Sequence, residues 1–200
     1  MDPRPAATVI VARQQPHTDV EVLVVRRSAI SRFAPGFVVF PGGVVEDGDA
    51  SRAAAWFGSA QEAPRACALR ELAEETGLVL TADGLLAAPG RLPGEPGLPA
   101  PAAEQVPEVA RWIAPATLTV RFDARFFAVH AQDGLAPQPD GVETDRAWWA
   151  RPQDVLSANR AGEAPLLWPT LKMLEALGGC SSVQAVLDVR VEQVAPPRPA

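Results

Sequence analysis

Arg70-Glu71-Leu72-Ala73-Glu74-Glu75-Thr76-Gly77-Leu78 is the stretch on which the reading of this chain turns. It closes the clearest helix of the sequence, expected over residues 64–76. Pro64 stands where a missing N–H does no harm, and Gly77 stands at the position that favours a left-handed stop. At roughly 100° per residue, Glu71, Glu74 and Glu75 fall within about a third of the circumference, with Ala66, Leu69 and Ala73 on the other side. One face is therefore expected to enter a core while the other gathers three carboxylates. Local electrostatics disfavour this twice. Glu71 repels Glu74 and Glu75 at i+3 and i+4, and the cluster lies near a helix C-terminus, where the macrodipole favours cations. A bound divalent cation reverses the sign, and three carboxylates suit a hard ion such as Mg²⁺ or Mn²⁺. Arg70 is placed to hold one of them by a forked pair. The plainer alternative is a solvated acidic helix face.

Upstream, Phe40-Pro41-Gly42-Gly43 reads as a stop after a short buried strand at 37–40, and its glycines let backbone approach a ligand closely. Residues 8–12 and 20–26 read as two strands of a hairpin, 28–35 as irregular, and 50–58 as a weak helix. Downstream, 78–80 resumes as a strand, and the Pro- and Gly-rich stretch 87–107 is expected to be a long surface loop. Strands follow at 111–113, 122–131 and 146–150, the last two joined by a turn-rich hairpin connection at 132–144. Helices are expected at 152–160 and 169–177, whereas 182–194 is ambiguous and 196–200 a frayed tail. This order, without regular βαβ alternation, gives an α+β class with helices packed on a mixed, mostly antiparallel sheet.

Composition bounds the function. The chain has 200 residues, 48% hydrophobic, and a net charge of −6, which argues against a nucleic-acid binder held by a basic surface. Its apolar runs are too short to cross a bilayer and its N-terminus lacks a secretory pattern, so a cytoplasmic protein is expected. Cys67 and Cys180 have no metal-ligand spacing and are expected as reduced thiols. No serine or cysteine motif accompanies His17 or His130, which leaves a nucleophilic triad unsupported.

The quoted stretch resembles the second half of the Nudix hydrolase motif: Gly, five residues, Glu, seven residues, then Arg-Glu-aliphatic-any-Glu-Glu-any-Gly-aliphatic. All of its second-half positions match. Counting from Gly43, the first acidic position falls on Asp49; counting back from Arg70, it falls on Glu62, with Trp56 in place of the glycine. An insertion of about thirteen residues, within about 50–64, reconciles the two, and either Asp49 or Glu62 fills that position. The box then spans about 43–78 of a single domain over 1–200, with a C-terminal extension from 180 to 200.

A second pattern, Arg27-Ser28 followed by Arg32, Gly36 and Phe40-Pro41-Gly42-Gly43, resembles the signature upstream of the box in coenzyme A diphosphatases, without its leading threonine. The resemblance implies a Nudix-like α/β/α sandwich and hydrolysis of a nucleoside diphosphate linked to another moiety. Coenzyme A or acyl-CoA is the favoured substrate, giving 3′,5′-ADP and a phosphopantetheine. It implies Glu71, Glu74 and Glu75 as ligands of Mg²⁺ or Mn²⁺, Arg70 within the catalytic group, and Arg27, Arg32, Gly42 and Gly43 against the substrate. A homodimer is compatible with it. Loop glutamates Glu104, Glu108 and Glu143 are candidates for a further acid, Glu143 foremost because it precedes a strand at an expected sheet edge. Phe40 is read as core, as are most of Phe126, Phe127, Trp148 and Trp149, one of which could stack on a base. The alternatives are the same chemistry on ADP-ribose, NADH or a dinucleoside polyphosphate, or a non-catalytic nucleotide-sensing module.

Overall fold

Strict alternation of buried side chains builds the central strand. In β1 (Arg4–Arg13), Ala7, Val9 and Val11 enter one apolar cluster, and Ile10 and Ala12 enter another. A strand covered on both faces must lie inside a sandwich. The computed structural model describes residues 2–14, 17–31 and 33–195.

Along one edge, β1 pairs in parallel with β8 (Phe122–His130), from Arg4↔Phe122 to Ala12↔His130. Beyond β8 lies β7 (Glu108–Ile113), antiparallel. Along the other edge, β1 meets β2 (Glu21–Arg27) only at Ala12↔Val22 and Arg13↔Glu21. Beyond that pairing, β3 (Val38–Val39) pairs with β2 and β4 (Gly42–Val44) with β1, so Phe40-Pro41 carries the chain from one strand to the other. The free edge of β2 is taken by β9 (Thr144–Ala150). The result is a seven-stranded mixed sheet whose other pairings are all antiparallel to the single parallel one. A separate hairpin joins β5 (Leu78–Thr81) to β6 (Gly84–Ala87).

On the face of Val9, Val11, Leu23 and Phe127 lies α2 (Ala63–Thr76), through Leu69 and Leu72, with α1 (Asp47–Phe57) packed beside it. On the face of Ile10, Val22, Val24 and Phe126 lie α3 (Pro152–Arg160), α4 (Trp168–Leu177) and α5 (Val183–Asp188). This is the expected α/β/α sandwich. Phe40, Phe126 and Phe127 are core.

Four local expectations need correction. Gly42-Gly43 is a strand rather than a stop, because residues without a Cβ can lie against β1; a Cβ on Gly42 would run into the Ala7 carbonyl. The strands 122–131 and 146–150 form no hairpin, since both edges of β8 are already taken by β1 and β7, and β9 goes to β2. The weak helix at 50–58 begins earlier, at Asp47, where Asp49 accepts from the Glu46 N–H at 2.9 Å and closes a capping box. The first residue of the stretch 87–107 belongs to β6, and the stretch is tied down, with Leu92 and Leu98 packed near Ala73 and Val79. The ambiguous 182–194 resolves into α5 and a bridge from Val191 to Ala110. No helix among the described residues is long and apolar enough to cross a membrane.

Candidate active site

Helix α2 ends as its sequence dictates, with Gly77 left-handed at φ 66°. Its acidic side, however, does not face solvent. Arg70, Glu71 and Glu75 are buried at 3%, 9% and 2% exposure, covered by β4. The Gly42 N–H donates to Glu75 Oε2 at 3.1 Å, and a Cβ on Gly43 would collide with the Glu71 carboxylate. The paired glycines are thus required by the close approach of β4 to β1 on one side and to α2 on the other.

Arg70 is the hub. Its Nε and Nη2 fork onto Asp49 Oδ1 and Oδ2 at 2.9 and 3.0 Å. Nη1 donates to Glu71 Oε1 and to Glu74 Oε2, each at 2.8 Å, and Nη2 also reaches the Val44 carbonyl at 3.2 Å. The forked pair expected within the glutamate cluster is therefore made instead with Asp49, which is fully buried and also takes Arg52 at 3.2 Å. Glu62 turns away and pairs with Arg65. Of the two acids left open by spacing, only Asp49 joins this network.

Burial sets the electrostatics. It pushes the Asp49 carboxyl up, but the hydrogen bonds from Arg70 and the Glu46 N–H and the charges of Arg70 and Arg52 outweigh it, so Asp49 ends below its ordinary value. For Glu71 burial wins, and the carboxyl is pushed up to about 7 despite Arg70. Glu75 is raised well above its ordinary value by burial and by the charge of Glu71, against the Gly42 N–H and the charge of Arg27. Glu75 Oε1 is buried without any hydrogen-bond partner. A buried acceptor with nothing to accept from is costly and calls for a ligand.

The three carboxylates expected to converge are not placed alike. Glu74 lies on the exposed flank, held by Arg70, and among the described residues no group of three His, Cys, Asp or Glu side chains is arranged to hold a metal ion. What remains is a buried pair, Glu71 and Glu75. Its donor chemistry fits a hard cation: carboxylate oxygens only, one of them unpartnered, and two carboxyls whose ionised forms lack sufficient compensating charge.

The structure brings Arg27 and Glu143 to this pair. The charge of Arg27 favours ionised Glu75, and its side chain donates to the Phe33 carbonyl at 2.9 Å. The exposed Glu143 adds to the upward push on both Glu71 and Glu75. Arg32 lies outside the described residues. Glu108 is paired with Arg125, and Glu104 is exposed in the Pro-rich loop. Trp148 lies beneath Arg146 and Trp149 beneath Arg13, each cation 4.4 Å from the ring centroid. Cys67 and Cys180 are free thiols, and His17 and His130 are exposed.

Sequence reasoning gave no role of their own to three residues. Ser28 Oγ is buried without a partner. Asp140 and Thr144 organise the turn that carries Glu143, and Thr144 Oγ1 donates to the Glu75 carbonyl at 3.2 Å. Asp140-Gly141 just before a strand is an Asx-turn signal that could have found the first of them.

Comparison with known proteins agrees with this architecture. A protein of Alicyclobacillus acidocaldarius described as a NUDIX hydrolase is 31% identical with a TM-score of 0.75, the match covering 95% of this chain and 97% of that one. The NUDIX domain of Shewanella oneidensis NrtR, solved in complex with ADP ribose, shares the fold at 15% identity and a TM-score of 0.55, over 88% and 86% of the two chains. The Caenorhabditis elegans protein named "Putative nudix hydrolase 7" is 28% identical over 189 residues, 87% of this chain, and the match spans 60% of that relative's length. The NUDIX domain family model matches residues 2–171, and the chain belongs to that family.

Proposed function

We propose that this protein hydrolyses the diphosphate of a nucleoside diphosphate linked to another moiety, with coenzyme A or acyl-CoA as substrate and 3′,5′-ADP and a phosphopantetheine as products. The observation that carries the reading is the unpartnered, buried Glu75 Oε1 beside Glu71 in a network anchored by Arg70. The 31% identity to a NUDIX hydrolase over nearly the whole of both chains supports the reaction class. The Arg27-Ser28 to Gly43 pattern supports the coenzyme A assignment.

Glu71 and Glu75, with Glu74 at the rim, would hold Mg²⁺ or Mn²⁺, which when bound neutralises diphosphate oxygens and lowers the pKa of water. The chain's own groups do the rest. Arg70, locked on Asp49, fixes the rotamers of Glu71 and Glu74 before substrate arrives. Arg27 supplies a cation for a phosphate at the end of β2. Glu143, exposed, is a carboxylate available to take a proton from the attacking water. In that hydrolysis the water oxygen bonds to phosphorus, the bridging P–O bond breaks with its electron pair on the leaving phosphate, and the water proton passes to a carboxylate.

A Mg²⁺-dependent hydrolysis panel of coenzyme A, acetyl-CoA, ADP-ribose and NADH in ¹⁸O-water tests this. Fastest turnover of the CoA compounds, with ¹⁸O in a single product phosphate, is expected. Faster cleavage of ADP-ribose, the ligand of the NrtR NUDIX domain, would replace the substrate assignment. Binding of these nucleotides without turnover would make the chain a sensing module.

A further inference from the structure

Glu143 is exposed, yet its backbone is tied on both sides. Ahead of it, Asp140 works as a clasp. Asp140 Oδ1 accepts from the Val142 N–H at 3.1 Å, the Thr144 N–H at 2.8 Å and Thr144 Oγ1 at 3.0 Å, while Oδ2 accepts from the Glu143 N–H at 3.1 Å. Gly141, at φ 73°, closes the turn with a bond to the Thr144 carbonyl at 2.9 Å. On the other side, the Glu143 carbonyl accepts from the Ser28 N–H at 2.8 Å and from Ser31 Oγ at 3.4 Å. The residue is thereby fastened to the segment that follows Arg27.

Thr144 joins the clasp to the site. It is fully buried, and its single hydroxyl hydrogen lies between Asp140 Oδ1 and the carbonyl of Glu75, the residue whose carboxyl lacks a partner. The β2–β9 ladder slips here, from Arg26↔Arg146 to Arg27↔Thr144, leaving Asp145 as the extra residue. Bulges of this kind re-aim side chains beside functional sites. Burial pushes the Asp140 carboxyl up, and the backbone donors outweigh it and hold it below its ordinary value, so the clasp is built around an ionised carboxylate.

We infer that Asp140 and Thr144 are positioning residues: they immobilise the backbone around Glu143 and dock it on the C-terminal end of α2, so that its carboxylate is presented to the Glu71–Glu75 pair and the substrate diphosphate. The inference rests on the hydrolase reading above. It differs from a purely structural role in requiring that loss of the clasp act through Glu143.

The test uses the full chain with Mg²⁺ and the fastest substrate of the panel, together with amide hydrogen exchange. Asp140→Ala should unprotect the Val142, Glu143 and Thr144 amides and lower kcat by about 10²-fold with little change in KM, the scale expected of a misplaced group. Asp140→Asn, which keeps an oxygen for three of the four bonds, should recover most of that loss. Thr144→Ser should resemble the parent, and Thr144→Val should resemble Asp140→Ala. Combined with Glu143→Gln, Asp140→Ala should add almost nothing, because both remove the same contribution. Parental kcat in an Asp140→Ala protein with unprotected amides, or multiplicative losses in the double variant, would overturn the inference. If Asp140→Ala does not fold, the Asn and Thr144 variants carry the same test. A parent that cleaves nothing on the panel defeats the hydrolase reading instead. The clasp is then judged by Mn²⁺ affinity in paramagnetic resonance, where Asp140→Ala and Glu143→Gln must weaken binding alike, and parental affinity in Asp140→Ala overturns it.

Discussion

Helices cover both faces of the sheet, but on opposite plans. Helices α3 to α5 meet it through Val155, Leu156, Met173, Leu174, Leu177 and Val186, without a buried charge. On the other face α2 buries Leu69 and Leu72, and with them Arg70, Glu71 and Glu75. Together with Asp49 these are all the buried charged residues among those described: Arg70 pairs with Asp49 and Glu71, and Glu75 lies on the same helix held by the Gly42 N–H. Apolar burial stabilises by roughly 1.5–3 kcal/mol for each large side chain, whereas a buried ion pair often does no better than an apolar replacement. The first face is therefore a stabilising one. The second spends part of its area holding carboxylates in place, an arrangement that stability alone does not account for.

The contrast can be broken most forcefully at Asp49. Asp49→Ala leaves the Arg70 guanidinium without its forked partner and should cost about 3–5 kcal/mol in denaturant unfolding, the usual consequence of removing one member of a buried pair. A loss below about 1 kcal/mol, the scale of an exposed ion pair, would mean that the network contributes no more than a surface contact.

On the apolar face, Leu174→Ala should cost about 2–5 kcal/mol of stability while the surviving folded protein keeps its turnover number. A large fall in kcat for folded Leu174→Ala would show that the two faces are not separable. Conversely, Glu75→Gln should reduce turnover at least about 10²-fold. The melting temperature of its metal-free form should hold or rise, because burial already disfavours the ionised form. Glu74→Gln, on the exposed flank, should lose less. Near-parental turnover in Glu75→Gln would remove the carboxylate pair from the mechanism.

The smallest effect concerns pH. Glu71 keeps its proton in the folded chain up to about 7, against an ordinary 4.5. Between those values the folded state binds more protons than the unfolded one, so stability falls as pH rises. The contribution of Glu71 is complete below pH 4.5 and gone once pH passes its folded value near 7. Melting curves in a chelator should decline across this window, and Glu71→Gln should flatten the decline. A parent profile already flat would show that Glu71 is not desolvated as the geometry implies.

Much of the frame was legible in the residues. Pro64 and Gly77 mark α2, and β-branched runs mark β1, β2 and β8, because helix ends and strand alternation are local properties. The proximity of Arg70, Glu71 and Glu75 on α2 was equally legible, since helical spacing places them together. Strand partnership was not. The separation of β9 from β8 depends on which sheet edges remain free, and no stretch of sequence carries that information.

Sequence by itself determined that a carboxylate-bearing helix would end at Gly77 and pack on a mixed sheet. Tertiary structure decided what those residues became. It turned Gly42-Gly43 into a strand wedged between β1 and α2, buried Glu71 and Glu75 rather than leaving them in solvent, and left Glu74 on the rim. It selected Asp49 over Glu62 as the forked partner of Arg70, and it docked the turn that carries Glu143, just ahead of β9, on the end of α2 through Thr144. The physical reason is range. Propensity and spacing act over a turn of helix or a pair of strands, whereas burial, and the charge balance that burial enforces, depend on segments that meet only once the sheet has closed.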